Sequence, residues 1–146
     1  MVSALALRGT AGQTQLLLLR RRARYLDGVW SYVAGHLEPG ETGWQAVLRE
    51  LREETALVPT ALYATGFCEQ FYLAGTDTVE IVPAFVARID EDACVQLNRE
   101  HSEYRWATLE EAFEALPFGS QRDLILHVRR EFVEREPNRF LRIDIG

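Results

Sequence analysis

The chain reads as a mixed α/β (α+β) protein with most strands first and helices inserted midway and at the end. Three observations predict this. Segments rich in Leu, Val and aromatic residues recur from Val2 onward, separated by turns bearing Gly, Thr and Asp. From Thr42 the pattern changes to a helical period opened by a capping signature, and two more helical patterns lie near the end. The length, 146 residues, suits one domain over residues 1–146 that buries roughly 68–70% of its unfolded surface.

Val2–Arg8 and Gln15–Arg21 are strands joined by the polar turn Gly9-Thr10-Ala11-Gly12. The unbroken apolar run Leu16–Leu19 suits a strand covered on both faces. Trp30–Ala34 is a short strand leading to Gly35, and Glu38-Pro39-Gly40-Glu41 is a tight loop. Thr42 with Gln45 forms a capping box, so a helix starts at Gly43. At about 100° per residue, Val47, Leu51, Trp44 and Leu48 share its packing arc, and Glu54, Glu50 and Glu53 occupy the neighbouring one. Ala61–Tyr72 and Thr78–Ile89 are longer strands around the turn Ala74–Asp77; Pro83 marks an edge or a bulge in the second. Glu103–Ala107 is a further strand. Thr108 and Glu111 cap a helix to about Leu116, and Ser120–Glu134 is a second, with Leu124, Ile125, Val128 and Phe132 on its apolar stripe. The tail Phe140–Ile145 alternates like a strand, pairing either within the chain or with a partner.

Charge narrows the partners. Twenty-two acids against sixteen bases leave a net charge of −6, which argues against binding duplex nucleic acid, since that relies on a basic footprint. A small anionic substrate is compatible, with Arg20-Arg21-Arg22 and Arg24 as the dense basic group. No apolar run approaches the roughly 18 residues of a membrane span, and the start lacks the basic flank of a signal peptide. The expectation is a cytoplasmic protein without a membrane partner, its two cysteines, Cys68 and Cys94, buried or partly buried thiols. Monomer and homodimer both stay open.

The chemistry is concentrated in one helix. Glu50, Glu53 and Glu54 stand at i, i+3 and i+4 and share one face, where like charges repel. A divalent cation offsets that repulsion, and oxygen-only ligands favour Mg²⁺ or Mn²⁺ over zinc. Arg49 stands four residues before Glu53 and can steer it. The pattern points to metal-assisted phosphate chemistry.

Gly35, Glu41, Arg49, Glu50, Leu51, Glu53, Glu54 and Leu57 resemble the Nudix box, G-x5-E-x7-R-E-U-x-E-E-x-G-U, with U a bulky aliphatic residue. Ala56 stands where that family has Gly, and a left-handed Ala costs on the order of 1–2 kcal/mol. Glu100-His101 followed by Tyr104 and Trp106 resembles the E-H-x-x-Y-x-W segment of nucleotide-handling members. With Ser120-Gln121-Arg122, it brings the chain closest to bacterial dihydroneopterin triphosphate (dATP) pyrophosphohydrolases.

The resemblance implies an α/β/α sandwich with a mixed central sheet. It also implies an Mg²⁺-dependent pyrophosphohydrolase, Mn²⁺ substituting, that cleaves a nucleoside-diphosphate-linked compound, foremost a nucleotide or pterin triphosphate, to the monophosphate and pyrophosphate. ADP-ribose or nucleotide-sugar hydrolysis, oxidised-nucleotide sanitation and a non-catalytic nucleotide-sensing module are the alternatives. The last typically loses the acids that this chain keeps.

It further implies Glu53 and Glu54 as principal metal ligands, Glu50 as ligand or base, Glu100 as ligand or base from across the site, and the Ala34 or Gly35 carbonyl as an added ligand. Arg49 would orient Glu53, and Glu41 would brace the loop. Arg21 and Arg22 are candidates to grip phosphate, His36 to hydrogen-bond it, and Trp30 and Phe71 to stack a ring. His101 is expected behind the ligands or exposed, His127 at the surface or packed, and Trp106 in the core.

Overall fold

The computed structural model describes residues 1–146. Its first two strands, β1 (Val2–Arg8) and β2 (Gln15–Arg21), form where the sequence puts them. Val2 to Leu7 and Leu16 to Leu19 are buried throughout. Their side chains alternate between two cores: Val2, Ala4, Ala6, Leu17 and Leu19 face one, Leu5, Leu7, Leu16 and Leu18 the other. A continuous apolar run serves a strand covered on both sides.

Each face has its own helices. Helix α1 (Gly43–Thr55) lays Ala46, Val47 and Leu51 on the first core, behind the Thr42–Gln45 capping box. Helices α2 (Leu109–Ala115) and α3 (Gly119–Val128) cover the second with Leu109, Ala112, Leu124 and Ile125. The remaining strands are β3 (Trp30–Ser31), β4 (Val33–Gly35), β5 (Ala61–Leu73), β6 (Thr78–Arg88), β7 (His101–Thr108) and β8 (Arg142–Ile143). They join in the order β3-β2-β1-β6-β5-β8, with β4 also on β1 and β7 also on β2. The β1–β6 pair is parallel and the others antiparallel, so the sheet is mixed, inside an α/β/α sandwich.

Several expectations change on inspection. The strand expected over Trp30–Ala34 is two. Trp30 and Ser31 pair with β2, and Val33 to Gly35 pair with β1, because the segment fills the wedge where β1 and β2 splay apart. Pro83 meets the expectation of an edge or a bulge: β6 lies between β1 and β5, but its pairing with β1 begins only at Ala84. It sits at a bulge: the β5–β6 register shifts between Ala64 and Cys68, and Pro83 precedes the residues that pair with β1. Helix α3 ends at Val128 and continues as a π-helical turn over Arg129–Val133 that keeps Phe132 buried. Of the tail, only Arg142 and Ile143 pair, with Tyr63 and Leu62 of β5. Cys68 and Cys94 are exposed, because Cys68 lies past the bulge and Cys94 lies in an irregular segment. Trp106 is partly buried, on a strand with β2 as its one neighbour, and Arg8 covers its ring at 4.3 Å. No helix is long and apolar enough to cross a membrane.

Candidate metal-dependent active site

The acid-bearing stretch folds around one guanidinium. Arg49 Nε and Nη2 donate to the two carboxylate oxygens of Glu41 at 2.8 and 3.0 Å. Nη2 also reaches the His36 carbonyl at 2.8 Å, and Nη1 reaches Glu50 Oε1 at 2.9 Å and Glu53 Oε2 at 3.2 Å. Glu41 accepts the Glu38 amide at 2.9 Å and so closes the loop. This bidentate fork holds the Glu41 carboxyl below its usual range and raises Arg49 above its own. Arg49 therefore ties loop, strand end and helix together, beyond steering Glu53.

Gly35 supplies space. A Cβ there would stand 2.6 Å from Glu50 Cγ and closer still to its Cδ and Oε1. Glycine lets the Glu50 carboxyl lie against the β4 backbone. At the other end of α1, Ala56 takes φ 63°, ψ 14° and donates its amide to the Arg52 carbonyl at 2.9 Å. The left-handed cap thus forms without glycine, and the helix end does not shift.

The three helix acids have different surroundings. Glu53 is exposed beside Arg49. Glu50 is mostly buried, and burial raises its carboxyl while Arg49 pulls it back. Glu54 is 3% exposed. Burial first, then Glu50 and Glu100, push its carboxyl up to about 9. Glu54 Oε2 has no hydrogen-bond partner. Glu100 approaches from the loop before β7, held to β2 by the Arg22 amide donating to its carbonyl at 2.7 Å.

Of the two positions expected for His101, behind the ligands or exposed, the second does not hold. His101 Nε2 lies 3.6 Å from Glu54 Oε1, its side chain is 9% exposed, and Nδ1 has no partner. Glu54, Glu100 and His101 each bring one ligand-type atom within 4.8 Å of the others. Burial lowers the His101 pKa, with Glu100 partly opposing, which favours the neutral ring. An orphaned buried carboxylate oxygen, adjoining acids and a neutral imidazole fit a divalent cation.

The expected substrate contacts are more dispersed. Arg21 and Arg22 are exposed at the β2 end, with Arg21 Nε on the Tyr25 carbonyl at 2.9 Å. His36 is exposed and contributes its carbonyl to Arg49. Trp30 is partly buried against the α2–α3 core, and Phe71 is partly buried on the outer part of β5, opposite Glu80. Ala34 pairs with Ser3 in the strand before Gly35. An unanticipated feature is buried Glu69, which accepts the hydroxyls of Tyr32, Ser3 (3.4 Å) and Ser120 (3.2 Å). Burial and Glu69 together raise the Tyr32 hydroxyl. This network pins α3 and β5 to the segment between β3 and β4, and no local pattern marks Glu69 in advance. His127 bonds the Thr65 carbonyl at 2.8 Å, as a packed residue would.

A family model described as NUDIX domain matches residues 1–131. The chain belongs to this family. Its class is accordingly that of Nudix hydrolases, which act on pyrophosphate bonds. An asymmetrical bis(5'-nucleosyl)-tetraphosphatase of Caenorhabditis elegans is 30% identical over 119 residues, covering 81% of this chain and 85% of that protein. A protein named octanoyltransferase from Myxococcus xanthus is 35% identical over 127 residues, 85% of this chain, which spans 35% of that relative's length. The solved dihydroneopterin triphosphate pyrophosphohydrolase of E. coli superposes with a TM-score of 0.68 at 26% identity, covering 91% of this chain and 94% of that one.

Proposed function

We propose that this Nudix chain hydrolyses a phosphoanhydride bond in a nucleoside-diphosphate-linked compound, foremost a nucleotide or pterin triphosphate, giving the monophosphate and pyrophosphate. The observation that carries the reading is the buried Glu54 carboxyl, one oxygen orphaned, grouped with Glu100 and His101 and borne by the helix whose neighbouring acids, Glu50 and Glu53, Arg49 holds. The E-H-x-x-Y-x-W segment and the likeness to the E. coli pterin enzyme support the triphosphate. A dinucleoside tetraphosphate is the second reading, favoured by the C. elegans relative, 85% of whose length aligns.

Glu50, Glu53, Glu54 and Glu100 would hold the cation, Mg²⁺ or in its place Mn²⁺, with the Ala34 carbonyl as an added oxygen. Bound there, a divalent ion stabilises charge on the phosphoryl oxygens and acidifies water. Glu50 Oε1 is engaged by Arg49, which leaves Oε2 to ligate or to take the proton of the attacking water. Glu100 is the other candidate base. The water oxygen bonds to phosphorus as the bridging P–O bond breaks, and the displaced phosphate or pyrophosphate leaves. Arg21 and Arg22 grip the outer phosphates, His36 hydrogen-bonds one, and Trp30 and Phe71 flank the ring. A sensing module typically loses the box acids, and this chain keeps Glu50, Glu53 and Glu54, which disfavours that reading.

The test is a panel with Mg²⁺: dihydroneopterin triphosphate, dATP and other dNTPs, oxidised purine triphosphates, ADP-ribose and diadenosine tetraphosphate. Metal-dependent pyrophosphate release from triphosphates is expected. No turnover on any member refutes the enzyme reading, and turnover of the tetraphosphate alone selects the second.

A further inference from the structure

His101 stands beside Glu54 and Glu100, and its side chain makes no hydrogen bond within the chain. Its Nε2 points at Glu54 Oε1 from 3.6 Å, beyond a hydrogen bond. Nδ1, also buried, bonds to nothing. The ring nitrogen that faces Glu54, Nε2, is therefore free to take a ligand. Two atoms each about 2.1 Å from one ion stand between about 3.0 Å apart (cis) and about 4.2 Å apart (trans). The Glu54–His101 separation falls inside that window.

The backbone is arranged to deliver this ring. Ala107 faces the α2–α3 core and Trp106 the α1 core, so strict alternation would send Arg105, Glu103 and His101 away from α1. The β2–β7 ladder instead shifts register. Arg20 pairs with Glu103 and Arg21 with His101, passing over Ser102. That bulge turns His101 to the α1 face, where Glu54 lies. Bulges commonly re-aim a side chain beside an active site.

We propose that His101 is a direct nitrogen ligand of the cation held by Glu54 and Glu100, making a mixed N/O centre that favours Mn²⁺ over Mg²⁺. The inference rests on the metal-dependent reading above and adds the ligand set and the metal preference. Mg²⁺ takes oxygen donors, whereas imidazole suits transition metals, so one nitrogen tilts the choice.

Pulsed electron paramagnetic resonance on the Mn²⁺-loaded protein tests it. An imidazole ¹⁴N coupling is expected in the wild type and absent in His101→Gln. The chain has three histidines, so the double variant His36→Gln/His127→Gln must retain the coupling, a test that leaves His101 untouched. In competition titrations the Mn²⁺/Mg²⁺ affinity ratio should fall about 10-fold or more in His101→Gln. Bound Mn²⁺ without ¹⁴N coupling in the wild type, or a coupling that persists in His101→Gln, overturns the proposal. Hydrolysis without the coupling would sink this inference alone. The coupling without hydrolysis would sink the reaction reading alone.

Discussion

Replacing Gly35 with Ala separates the fold's demands from those of the chemistry. Gly35 is not among the positive-φ residues, so alanine meets no backbone penalty. It meets Glu50: the new Cβ stands 2.6 Å from Cγ, against roughly 3.5–4.0 Å for a carbon–carbon contact, so the side chain must retreat by about 1 Å. A carboxylate on a flexible arm can do that by loosening its 2.9 Å bond to Arg49. Stability should drop by about 1–2 kcal/mol, within the range of small overpacking changes. At this chain length, that lowers Tm by a few degrees. Turnover is another matter, because a 1 Å misplacement of a catalytic group costs about 100-fold. The assay pairs a thermal melt with kcat on the best substrate at saturating Mg²⁺. A folded Gly35→Ala protein with wild-type kcat would show that the Glu50 carboxyl need not lie against β4, and the reasoning would fail.

Ala56→Gly should stabilise the protein by about 1 kcal/mol through relief of the left-handed cap, seen as a Tm rise of about 2–4 °C; an unchanged or lower Tm contradicts it. Arg49→Ala strips Glu41 and Glu50 of their partner and should lower the urea midpoint, an unchanged midpoint contradicting it. Arg49→Lys keeps the charge, loses the fork and should recover only part. Glu54 links metal to protons. Its carboxyl is raised to about 9 in the metal-free fold, so its stabilising contribution is full below about pH 4.5 and is lost as pH rises toward 9. Mg²⁺ or Mn²⁺ binding at pH 7 should therefore release close to one proton, measured by calorimetry in buffers of different ionisation enthalpy. Heats independent of the buffer would refute it.

Local signals were legible and long-range ones were not. The capping boxes at Thr42 and Thr108 and the two-sided burial of Leu16–Leu19 could be read directly, because each depends on residues within a few positions. Helical spacing likewise put Glu50, Glu53 and Glu54 on one face. It could not tell them apart: burial of Glu54 and exposure of Glu53 depend on how α1 sits on the sheet. The division of Trp30–Gly35 between two partner strands depends on the splay of β1 and β2, which no local pattern encodes. The placing of His101 beside Glu54 was open for a related reason: it depends on the step past Ser102, which sets the face of the first residue of β7 and leaves no local pattern.

The fold holds its acids in two ways, and the contrast marks the place that a cation would suit. Glu41 and Glu50 share Arg49, and a guanidinium within 3 Å favours the charged form of each. Glu54 has no such partner. Desolvation makes a lone buried carboxylate take up a proton, which is the sense of its raised pKa. A protein needing only stability would do better with an apolar residue at that position, since an unpaired buried acid contributes nothing to packing that Leu would not. The acid makes physical sense if the proton is a placeholder that a divalent ion displaces. Arg49 then has a second use: by neutralising Glu41 and drawing Glu50 and Glu53 to itself, it limits the repulsion felt at Glu54, so the site can stay folded before the ion arrives.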